Sequence, residues 1–75
     1  MEIKEFIEKF AEAIEVENVV ALTPETTFHD LEEWGSISVM LLIAFFDEEF
    51  DKEITTADIG NAVTIQDLYS FATAE

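Results

Sequence analysis

Three groups of residues have types and spacings that could do chemistry. Ser36 follows Gly35 and opens a long apolar run, which places its hydroxyl at a loop–helix junction. A modifying enzyme can reach such a hydroxyl, and an anion attached to it would face free backbone N–H groups and the positive end of the helix dipole. The same position suits a plain N-cap for a second helix running from Ile37 to about Phe50, and the serine alone does not separate the two roles. His29 is the single histidine. It has no serine, acid and base constellation around it, so general acid–base catalysis has little support and a solvated loop residue is expected. Asp47, Glu49, Asp51 and Asp58 have the spacing of the first, third, fifth and twelfth places of a calcium loop, with Ile54 at the eighth. Lys52 stands where that loop needs its turn glycine, and Phe50 completes an apolar stripe that requires the helix to continue through it. No metal site is therefore expected there beyond loose divalent binding to an acidic surface.

The bulk numbers narrow the function classes. Three basic residues against eighteen acidic ones give a net charge of -15, which repels nucleic acid and anionic membranes and favours basic partners. The chain has no cysteine, so disulfides, thiolate metal clusters and a cysteine nucleophile are excluded. Stability must come from apolar packing, and seven phenylalanines among 75 residues supply the material for one core. One domain over residues 1–75, working as a monomer, is expected. The longest apolar run, Val39 to Phe46, is eight residues and too short to span a bilayer. The acid at the second position and the charges that follow do not fit a secretory signal peptide, which points to the cytoplasm.

The elements that must position Ser36 follow from periodicity. Ile3, Phe6, Ile7, Phe10 and Ile14 recur at helical spacing, with Glu5, Glu8, Lys9, Glu12 and Glu15 opposite them. Val16 to Thr27 loses that period and reads as a long connection with one helical turn begun by Thr23-Pro24, while Phe28 and Leu31 pin it to the core. After the second helix, Thr55 with Asp58 and Thr64 with Asp67 repeat a capping pattern, flanked by the apolar pairs Ile54/Ile59 and Val63/Leu68. They start a short helix, ended by Gly60-Asn61, and a longer one running to about Ala72 with Ile65, Leu68 and Ala72 inward. The fold class is all-α, a small helical bundle of three main helices plus one short helix. On the second helix, Val39, Leu42, Ile43, Phe46 and Phe50 form the expected core stripe. Ile37, Met40, Leu41, Ala44 and Phe45 fall outside it with Asp47 and Glu48, which predicts an apolar patch rimmed by acids and suited to docking. Trp34 either frames that region or covers the core, and Tyr69 is expected to be half-buried.

Over nearly its whole length the chain resembles the acyl carrier protein family and its peptidyl carrier relatives. The resemblance rests on Thr26-Thr27-Phe28-His29-Asp30-Leu31, on Trp34-Gly35-Ser36-Ile37, and on Phe46 through Ile54, in that order and spacing. It implies that Ser36 accepts 4'-phosphopantetheine from coenzyme A through a phosphopantetheinyl transferase. It further implies that the arm's thiol holds acyl or aminoacyl groups as thioesters for enzymes with basic docking surfaces, and that the chain is no enzyme itself. Ile37, Met40, Leu41, Ala44, Asp47 and Glu48 are the partner-binding candidates. The family most often has aspartate before the serine and leucine after it, where this chain has Gly35 and Ile37, and Gly35 removes a carboxylate that helps engage the transferase. Ser38 and Leu41 stand where carriers of fatty-acid synthesis usually present acids, so a specialised pathway is expected. An unmodified interaction module of the same fold, working through the second-helix face, is the alternative.

Overall fold

The computed structural model describes residues 2–74, which contain four α-helices: α1 (Ile3–Ala13), α2 (Ser36–Phe50), α3 (Thr56–Asn61) and α4 (Ile65–Thr73). The apolar stripe of α1 turns Phe6, Ile7, Phe10 and Ala11 inward, and Ile14 is buried just beyond the helix end. The helix is closed by Glu15 in the left-handed region at φ 61°. The Val16 N–H returns to the Ala11 carbonyl at 2.8 Å, and buried Val16 then packs under the last turn.

The core is aromatic at its centre. Phe6, Phe10, Phe28 and Phe46 are wholly enclosed together with Leu42, Ile59, Ile65 and Leu68. The Phe6 ring lies 5.4 to 6.4 Å from the rings of Phe10, Phe45, Phe46, Phe50 and Tyr69, with Phe46 and Tyr69 edge-on, a geometry that ring quadrupoles favour. Phe28 is held by Phe10 at 6.2 Å and Trp34 at 5.0 Å, so the expected pinning of the long connection is present, with Leu31 half-buried beside it. Tyr69 is half-buried, as its place on α4 suggests.

Two expectations about the connection and α2 need refining. Thr23-Pro24 begins a single turn, closed by the Thr26 N–H on the Thr23 carbonyl at 3.0 Å, which does not continue as a helix; the 3-10 segments are Val19–Ala21 and Phe28–Asp30. The Pro24 and Thr26 carbonyls are taken by the N–H groups of Gln66 and Ile65 at the start of α4, 2.9 and 3.1 Å away, and Thr27 bridges to Thr64. Those carbonyls are therefore lost to any local helix. On α2, Phe45 is buried although it lies off the expected stripe, while Val39, Ile43 and Phe50 are only half-buried. Phe45 reaches Phe6 at 5.8 Å because α1 packs across α2 from that side, widening the buried face.

Both threonine caps form as the pattern predicts. Thr55 Oγ1 accepts from the Asp58 N–H while the Asp58 carboxylate accepts from the Thr55 N–H, each at 3.1 Å. At α4, Thr64 Oγ1 accepts from the Asp67 N–H at 3.2 Å, and Asp67 accepts from the N–H groups of Val63 and Thr64 at 2.9 and 3.1 Å. Those backbone donors, Val63 first and Thr64 second, hold the Asp67 carboxyl below its ordinary value of 3.8. The flanking apolar pair closes only at α3, where Ile54 and Ile59 are buried; Val63 is 55% exposed.

Candidate functional site

The start of α2 is built differently from the starts of α3 and α4. Its N-cap is Gly35, extended at φ -160° and ψ -173°, so no side chain covers the first turn from that position. Ser36 is not the cap, contrary to the simpler of its two readings. It is the first helical residue, exposed, and its hydroxyl has no hydrogen-bond partner among the described residues. The junction is fixed instead by Ser38, whose Oγ accepts from the Gly35 N–H and donates to the Glu33 carbonyl, each at 3.1 Å. Ser38 is 4% exposed, which corrects its expected place on the docking face. Its small hydroxyl lets it turn back into the junction, where it meets both a donor and an acceptor.

Beyond Ser36, Ile37 and Met40 are 69% and 70% exposed, large values for side chains of this kind. Ala44, Asp47 and Glu48 are also exposed, whereas Leu41 is half-buried against the core. The exposed crest of α2 stands between two open grooves. One, of about 430 Å³, runs between α1 and α2 over Ala13, Leu41, Ala44 and Phe45, with Glu12, Glu48 and Glu49 on its rim. The other, of about 500 Å³, lies between α2 and the segment entering α3, over Met40, Ile43, Ala44 and Ile54. Lys9 crosses the first groove to Glu49 at 3.5 Å, an exposed pair worth at most about 1 kcal/mol. No cluster of ligating side chains that could hold a metal is present among the described residues. The helix of α2 runs through Asp47 and Glu49 to Phe50, so the calcium-loop spacing has no loop to support it.

His29 is the residue whose role its sequence context hid. It is exposed, as expected, yet it is not a free loop side chain. Its Nε2 lies 3.1 Å from the Ile59 carbonyl and 3.2 Å from the Ala62 carbonyl, at the C-terminal end of α3. Its ring packs on Phe28 at 4.3 Å and on Trp34 at 5.3 Å. Two facing carbonyls require Nε2 to carry the proton. Trp34 itself is half-buried against Phe28 and His29, so it covers the core at the point where the chain enters α2.

The described residues thus form a small four-helix domain with an exposed serine opening its longest helix. A family model described as the phosphopantetheine attachment site matches residues 4–72, and the chain belongs to that family. No curated protein matches the chain significantly. The covalent group of this domain is 4'-phosphopantetheine, and a domain of this kind works with a transferase and with biosynthetic enzymes. The α2 start fits such a group. The hydroxyl is open, the adjoining position adds no side chain, and a phosphodiester there would meet the free N–H groups of the first turn of a 15-residue helix. Among the described residues no helix is long and apolar enough to cross a membrane.

Proposed function

We propose that Ser36 is the attachment residue, and that the chain carries acyl or aminoacyl groups as thioesters in a specialised cytoplasmic biosynthetic pathway without catalysing a reaction itself. The observation that carries this reading is the exposed, unbonded Ser36 hydroxyl at the head of α2, within the matched segment. In loading, Ser36 Oγ bonds to the phosphorus of coenzyme A's pantetheine phosphate, the pyrophosphate linkage breaks, and adenosine 3',5'-bisphosphate leaves with its electron pair. The hydroxyl proton passes to a base of the transferase. Once attached, the arm supplies the thiol that forms the thioester.

Intact mass after incubation with coenzyme A and a panel of transferases tests the assignment. Wild type gains one phosphopantetheine and Ser36→Ala gains none. A chain that no transferase modifies, or an alanine variant that still gains the mass, overturns it. The unmodified interaction module is kept in view by Gly35, which stands where the family most often has a carboxylate, and the first of those outcomes would favour it.

The partner face of the proposal comprises Ile37, Met40, Leu41, Ala44, Asp47 and Glu48. Acids there steer a basic partner, while the apolar crest supplies the retained contact. Leu41→Asp is a poor probe, because Leu41 also packs on the core. Met40→Asp separates the effects: it keeps the melting temperature and weakens binding to the loading enzyme, whereas Asp47→Asn with Glu48→Gln slows association mainly at low salt. Unchanged binding by Met40→Asp removes the apolar crest from the interface.

A further inference from the structure

We propose that His29 is a positioning residue that couples α3 to the Trp34–Ser36 junction, so that its Nε2–H bonds keep α3 in place for the modification of Ser36. The inference rests on the carrier reading for its functional half and on geometry alone for its structural half.

The premise is the weakness of α3. It is six residues long, far below the length at which a helix holds itself in water, and Ile59 is its one buried residue. Its N-terminus is closed by the Thr55–Asp58 box. At its C-terminus, where carbonyls lack partners within the helix, the Ile59 and Ala62 carbonyls are taken by one imidazole N–H from a segment thirty residues earlier. The same ring lies against Trp34, two residues before Ser36. Trp34 is in turn fixed by its N–H to the Leu31 carbonyl at 3.0 Å and by its edge contact with Phe28. A contiguous set of contacts therefore runs from the end of α3 through His29 to the junction that presents the hydroxyl. Neighbouring bonds, Ile65 N–H to the Thr26 carbonyl and the Thr27–Thr64 bridge, anchor the α3–α4 corner but not the last turn of α3. That last turn is what His29 holds.

Two replacements separate bonding from packing. His29→Phe keeps a ring against Phe28 and Trp34 and removes the donor; His29→Gln keeps an N–H donor and removes the ring. Amide hydrogen exchange is read in the unmodified 75-residue chain at Ile59 and Ala62, whose N–H groups bond to the Thr55 and Asp58 carbonyls. In His29→Phe both amides exchange about tenfold faster while Phe10 and Leu42 are unchanged, and His29→Gln restores most of the protection. With transferase and coenzyme A, His29→Phe is modified several-fold more slowly than wild type, and His29→Gln recovers the rate. Unchanged exchange in His29→Phe overturns the coupling of His29 to α3. Faster exchange throughout the chain also overturns it, since His29 would then be a general stability residue. Loosened α3 with an unchanged loading rate overturns the positioning role. If wild type is never modified, the Ser36 assignment and the positioning role fall together, and exchange alone decides whether His29 holds α3.

Discussion

Helices α3 and α4 begin with a threonine whose oxygen occupies the first turn and an aspartate that reaches back to the entering chain, whereas α2, the longest helix, begins with a glycine and a free hydroxyl. At α4 the first-turn N–H groups of Ile65, Gln66 and Asp67 are all taken from within the protein, and at α3 the Asp58 N–H is taken by Thr55 Oγ1. At α2 only the entering chain is tied, by Ser38 from the third helical position, and the N-cap position itself supplies no side-chain acceptor. The contrast lies in the side chain at the N-cap position: a threonine oxygen accepts from the third helical N–H at α3 and α4, and Gly35 offers no such oxygen at α2.

The largest expected effect comes from removing the one tie at the open start. Ser38→Ala leaves the part-buried Gly35 N–H and Glu33 carbonyl without their shared partner, at a cost of about 2 kcal/mol in thermal or denaturant unfolding. A variant as stable as wild type would show that α2 is positioned by packing alone. At the closed starts, Thr64→Ala loses one cap bond and costs about 1 kcal/mol by the same measurement.

A pH series sharpens the comparison further. Because the folded Asp67 carboxyl titrates below its ordinary value, its stabilisation is complete above about pH 4 and is lost as pH falls through the lower, folded value. The difference in melting temperature between wild type and Asp67→Asn should therefore shrink on acidification below that point, and a constant difference would refute the capping role of the charge. The smallest change in stability is expected from closing the open start. A Cβ at position 35 meets nothing within 4 Å and the backbone there is ordinary extended chain, so Gly35→Asp is accommodated. It should raise stability by a few tenths of a kcal/mol and increase the rate of modification by transferases that engage a carboxylate. A slower rate would mean that the open cap itself is required.

Much of this was legible in the sequence because it depended on local spacing. The α1 stripe, the two threonine–aspartate caps and the Ile65, Leu68 and Ala72 face of α4 involve partners within a few residues, where periodicity is informative. What escaped notice depended on neighbours distant in sequence. Phe45 is buried because α1 crosses α2 beside it, and Ser38 turned inward because Glu33 and Gly35 bend back over the junction. The turn at Pro24 stays a single turn because the Pro24 and Thr26 carbonyls are claimed by α4. His29 looked solvated because both its acceptors lie about thirty positions further on. Glu15 and Asp51 take the left-handed conformation with no glycine to announce it.

The chain holds a single tryptophan, and it sits two residues before Ser36 with its indole against the His29 and Phe28 rings. The protein thus has a built-in optical probe at the entrance of α2. Emission from that indole reports on the entrance of α2 alone, against one tyrosine that lies across the core beside Phe6. Attachment of an arm at Ser36, seating of an enzyme on α2 and displacement of the imidazole, as proposed, would each alter the surroundings of this fluorophore. Loading and docking would then be followed in real time without an added dye.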